Sequence, residues 1–261
     1  MISTSRAIAV LGLLAGLFLG GRAEAEPIVP SVTITFDRPI FSMGSDNVRI
    51  FFPGETGGSD SARVAAGRFS GSASNLVGVS ESIFVDGVDD VFMYCYDLYD
   101  AIRGGNVVDY TINFGSIMQR TLDFIGAVNT VLNTQRGTLA LEAFDRYAWV
   151  RPDSAAQSAA IQLGLWESKY ESDDAWDIGT GSFSASALHS GTGAALEGFF
   201  AAVRDPGNTP LEPQFAMLLE SPEYQDMITA DPPGTVPTPA PLGLLLLGGL
   251  AAFWQRRHSR A

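Results

Sequence analysis

Hydrophobic periodicity changes once along this chain, close to Ser116, and that change limits the fold to an α+β class. Before it, β-branched and aromatic residues alternate or run together. Strands are expected at Ser31–Phe36 and over residues 48–52, 82–85, 91–96 and 110–114. Glycine- and serine-rich stretches at 54–60 and 67–75 read as the loops between them. After Ser116 the spacing turns helical. Helices are expected over 119–132, over 138–149, where Leu139, Ala143 and Tyr147 lie four apart, over 155–168 behind a Ser154 cap, and over 192–203. A short strand is expected over 181–184. The fold class is therefore a β-rich N-terminal part followed by a helical part.

The two ends carry addresses. Residues 1–25 read as a signal peptide: Arg6 precedes an apolar run, and Ala23-Glu24-Ala25 gives the small-x-small cleavage pattern for signal peptidase. Residues 26–204 are expected to form the globular domain and 205–235 a proline-rich linker. In 236–261, Pro237-Thr238-Pro239 leads into a short apolar stretch and then Arg256-Arg257-His258-Ser259-Arg260. The apolar stretch is short for a full span, which takes about 20 residues, and the arginines favour the cytoplasmic side. This layout resembles the PEP-CTERM sorting signal of Gram-negative bacteria that make exopolysaccharide. The resemblance implies processing by an exosortase near Pro237 and Pro239, transient membrane association, and delivery to the outer surface or extracellular matrix. Thr238 stands where that family usually has Glu.

Charge narrows the partners. The chain has formal charge -13, and removing both ends takes away five arginines and one acid, leaving -17. That acidity disfavours nucleic acid and anionic lipid. Lys169 is the only lysine, and Cys95 the only cysteine, so no intrachain disulfide exists and stability must come from packing.

An unpaired thiol in an exported protein needs a reason. Gln162 offers one, because attack of the Cys95 thiol on the Gln162 amide, with loss of ammonia, leaves an internal thioester. Gln162 and Trp166 are i and i+4, so they share a helix face. Trp166 is expected to shield the bond from water, and Asp97, Glu167 or a tyrosine hydroxyl to accept the proton. The run Tyr94-Cys95-Tyr96-Asp97-Leu98 with Ala159-Ala160-Ile161-Gln162 to Leu165-Trp166-Glu167 resembles the bacterial thioester domain over about residues 90–203. Gln225-Asp226 is also similar to PEP-CTERM proteins carrying such domains. In this chain Gly164 replaces the family's usual Ala. The resemblance implies Cys95 as donor, Gln162 as acyl side, and an amine-bearing surface protein or matrix polymer as target, for adhesion or cross-linking. It implies at most a single-turnover self-acylation and no cofactor.

Two other readings stand beside it. In one, Cys95 is a silent core residue of a non-covalent exopolysaccharide- or biofilm-associated matrix protein. In the other, His189 serves Cys95 as the base of a hydrolase, though the flanking motifs of known cysteine proteases are missing. The acidic stretches 85–90 and 171–174 lack the ligand spacing of a calcium loop and read as solvated loops.

Overall fold

The computed structural model describes residues 28–140, 142–171 and 175–232. The signal-peptide and sorting residues Ala23, Ala25, Pro237, Pro239, Arg256 and Arg257 lie outside the described residues. Strands and helices are both present, with the β-rich part first and the helices after it.

Six strands close a barrel in the order β1-β4-β5-β9-β8-β6. They are β1 (Ser31–Phe36), β4 (Phe69–Val77), β5 (Val91–Cys95), β6 (Val107–Asn113), β8 (Ala216–Glu220) and β9 (Met227–Ala230). Every pairing within it is antiparallel. Closure leaves no open edge in this sheet. Val32, Ile34 and Phe36 of β1, with Val108, Tyr110 and Ile112 of β6, are buried, as the alternation of apolar residues in both strands requires. A second sheet has the order β3-β2-β7, from β2 (Asp46–Pro53), β3 (Ser59–Ala66) and β7 (Ser184–Ser186). Gly57 and Gly58, both at positive φ, turn β2 into β3.

The helices are α1 (Gln119–Arg136), α2 (Ala155–Tyr170) and α3 (Ser190–Val203), and each packs on the other two. Ser154 caps α2 by accepting from the Gln157 N–H, as its sequence position suggested. Helix α2 also touches β2 and β3, and its residues 158–168 are all buried. An all-round buried helix is a core element, and this one holds Gln162 and Trp166.

Five expectations differ from the structure, one being the strand expected over 181–184, which begins only at Ser184 as β7. Residues 67–75 are not a loop but most of β4, and 54–60 include the start of β3. At Gly71 an added Cβ would meet the Thr35 carbonyl oxygen at 2.6 Å, so the bare Gly71 permits close packing of β4 on β1. Residues 82–85 hold a short 3-10 turn rather than a strand. Residues 138–149 are not a helix. Two buried asparagines of α1 hold this segment by its backbone: Asn129 donates to the Arg146 carbonyl and accepts from the Trp149 N–H, and Asn133 does the same at the Asp145 carbonyl and N–H. Residues 205–235 were expected to be a linker, yet β8 and β9 lie there and close the barrel. Their apolar residues Met217, Leu218, Leu219, Met227 and Ile228 are buried, which a solvated linker would not provide.

Candidate functional site

The site forms where β4 and β5 part. Their pairing ends at Phe69–Met93, two residues before Cys95. The Tyr96 N–H points to β9 and donates to the Asp226 carbonyl at 2.7 Å. The Cys95 N–H and carbonyl must then point the opposite way, toward a strand that is no longer there. Helix α2 supplies the missing partners. Ser158 Oγ accepts the N–H of Arg68, where the chain leads into β4, at 2.7 Å. One turn on, Gln162 Oε1 accepts the Cys95 N–H at 2.9 Å, and Gln162 Nε2 donates to the Cys95 carbonyl at 2.7 Å. Cys95 and Gln162 are thus in direct contact, and both are buried.

The thiol itself donates to the Asp97 carbonyl at 2.6 Å. Burial pushes its pKa well above the ordinary value, and the charge of Asp97 pushes the same way. The Trp166 indole N–H and the Lys169 ammonium act against this. The buried indole N–H has no acceptor at ordinary hydrogen-bond geometry, although it lies close enough to the thiol to favour the thiolate. Trp166 is 2 % exposed and packs on Phe183, so it covers this side of the pair.

A cleft of about 400 Å³ reaches both Cys95 and Trp166. Its walls are mostly apolar, from Ile50 of β2, Val64 of β3, Phe69 of β4 and the segment around Leu98 and Tyr99, with Asp100 as a polar exception. Cys95 is thus buried from bulk water but borders this cleft.

The chain around Asp226 completes the site. The Asp226 N–H donates to Asp97 Oδ2 at 2.7 Å, and Gln225 Nε2 reaches the Asp97 carbonyl at 3.4 Å. Gln225 also lines the cleft. Sequence reasoning noted Gln225-Asp226 but set it in a linker. The clue available was the short run Met227-Ile228-Thr229-Ala230 immediately after it, apolar at three of four positions and β-branched at two.

Other expected groups are placed elsewhere. Glu167 turns to the far side of α2, where its Oε1 accepts from the Asp177 N–H and pairs with Arg120 at 3.6 Å. His189 caps α3, accepting from the Gly191 N–H, and lines a different cleft with Asp46, Ser154 and Thr192. It is not among the groups that face the thiol, so the base of a Cys–His hydrolase is not assembled here. Asp86, in the acidic stretch 85–90, pairs with Arg151 through Nε at 2.9 Å. Among the described residues no group of three or more His, Cys, Asp or Glu side chains is arranged to hold a metal ion.

Gly164 also gains a local reason. A Cβ there would collide with the Phe124 ring, which is fully buried and stacked on Trp176. The usual alanine of the resembled family therefore does not fit against this α1 without moving an immobilised ring.

No protein-family model matches the chain, and no curated protein or solved structure is significantly similar to it.

Proposed function

We propose that this is an exported surface or matrix protein in which Cys95 and Gln162 form an internal thioester that captures an amine on a partner. The observation that carries the reading is the reciprocal pair of hydrogen bonds between the Gln162 amide and the Cys95 backbone, buried beside a mostly apolar cleft. They fix the amide against the residue that bears the thiol, so proximity replaces strong catalysis for a step that runs once. The Cys95 N–H already points at Oε1. As the thiolate adds to Cδ, negative charge grows on that oxygen, and this donor stabilises it. Cleavage of the Cδ–Nε2 bond then releases ammonia. In the second reaction a partner amine adds to Cδ, the Cδ–Sγ bond breaks, and an amide link remains with Cys95 as the free thiol. Export by the N-terminal signal and sorting through the Pro237/Pro239 and Arg256/Arg257 segment, with signal peptidase and an exosortase as processing partners, belong to the same proposal.

The second reading is a non-covalent matrix protein with a silent cysteine. It is favoured by the protonated, hydrogen-bonded thiol and by the fact that Gln162 satisfies two buried backbone groups as it stands.

Intact-mass measurement of the mature protein separates the two. The thioester gives a deficit of about one ammonia, ~17 Da, converted by methylamine to a stable adduct and absent in Cys95→Ala. An unmodified mass that methylamine leaves unchanged supports the matrix-protein reading.

A further inference from the structure

The buried thiol donates to the Asp97 carbonyl, so thioester chemistry needs a group that takes its proton and returns it. We propose that Asp97 is that proton carrier, and that Lys169, the chain's only lysine, is the positioning residue that keeps Asp97 ready to accept. This inference rests on the thioester reading.

The geometry distinguishes Asp97 from the alternatives. The Cys95 thiol already hydrogen-bonds to the backbone carbonyl of Asp97. Asp97 Oδ2 is pinned by the Asp226 N–H, while Oδ1 is buried with no hydrogen-bond donor. A buried carboxylate oxygen with no side-chain or backbone donor is unusual, and a proton-exchanging role is one physical reason for it. Glu167 faces Arg120 and Asp177 instead. The hydroxyls of Tyr94 and Tyr96 are engaged with the Trp149 carbonyl and Thr121, and burial raises both above the ordinary phenol value. Lys169, seven residues after Gln162 on α2, sets its Nζ 4.1 Å from the centre of the Tyr96 ring.

The charged and titratable groups around Asp97 come from every neighbouring element. They are Cys95 of β5, Asp100 beyond it, Tyr110 of β6, Lys169 and Tyr170 of α2, and Asp226 before β9. Burial and the charges of Asp226 and Asp100 raise the Asp97 pKa to about 6, against the hydrogen bond from the Asp226 N–H and, to a smaller extent, the charge of Lys169, which lower it. Asp97 is therefore largely ionised at neutral pH but close enough to neutrality to return the proton.

The steps balance. The Cys95 thiol proton passes to the Asp97 carboxylate as Sγ bonds to Gln162 Cδ. Asp97 then gives the proton to Nε2 as the Cδ–Nε2 bond breaks, and ammonia leaves. In the second reaction Asp97 takes the proton of the attacking amine and returns it to the departing Cys95 thiolate.

The test is the rate of methylamine capture by the mature protein, followed by intact mass and divided by the free-amine concentration, from pH 5 to 8. Wild type is expected to rise roughly tenfold between pH 5 and 7 as a base near pH 6 ionises. Asp97→Asn is expected to react on the order of 100-fold more slowly with no inflection, or to fold without acquiring the mass deficit at all. Lys169→Met is expected to move the inflection to higher pH. An Asp97→Asn protein that keeps the wild-type rate and inflection overturns the proposal. So does a Lys169→Met profile that stays in place, a readout that survives if Asp97→Asn fails to fold. A wild-type chain without the deficit overturns the thioester reading itself, and this inference with it.

Discussion

The side-chain amide of Gln162 does for Cys95 what the next residue of β4 would otherwise do. That equivalence makes the two residues energetically unequal. Replacing Gln162 by Leu leaves the buried Cys95 N–H and carbonyl without partners, at about 1–3 kcal/mol for each. Cys95→Ala, which like Gln162→Leu cannot form the thioester, removes one sulfur but keeps both backbone bonds, so it is expected to be the more stable of the two variants. Urea unfolding of the two variants checks this. Equal midpoints would mean that Gln162 is not the partner of this backbone. The spacing of Gln162 and Trp166 was legible in the sequence because i and i+4 share a helix face, and both do line the site. The part played by Asp226 was not. It holds Asp97 and Tyr96 through its backbone N–H and carbonyl, which carry no residue-type signature.

At the level of elements, legibility followed hydrophobic contrast. β1, β2 and β6 stand out through alternating apolar residues, β5 as an apolar run, and α2 through its alanines and the Ser154 cap. β4 was hidden by its own composition. Its serines and Gly71 look like turn residues, yet the bare Gly71 is what lets the strand approach β1. The segment 138–149 failed the other way: its four-residue spacing is real, but Leu139 is 54 % exposed, and the asparagines of α1 offer this backbone better partners than a helix would. β8 and β9 were hidden behind the prolines around them. β9 is short and carries its burden in few residues. Ile228 is fully buried, opposite Tyr94 of β5 and Leu218 of β8. Ile228→Ala is expected to cost about 2–4 kcal/mol and to lower the fraction of molecules with the mass deficit. A drop in stability with an unchanged fraction would show that β9 supports the barrel but not the site.

For the whole molecule, Asp97 links acidity to stability. Its pKa is about 6 in the fold against an ordinary 3.8, so the native state binds the proton more tightly than the unfolded chain. The stabilisation from this group is complete below about pH 4 and is lost as pH rises through about 6. Wild type should therefore lose more stability between pH 4 and 6 than Asp97→Asn, as read from unfolding midpoints across that window. Parallel profiles would show that the carboxyl is not desolvated in solution. The order of the chain adds a schedule to this chemistry. Cys95 and Gln162 are both synthesised well before β9, yet β9 and the Asp226 turn complete the surroundings of the thiol. At about 5–20 residues per second, a nascent chain spends seconds with nucleophile and amide already made but the barrel still open. On the thioester reading the last barrel strand would work as a safety catch: the acylating bond would be armed only once β9 had closed around the thiol.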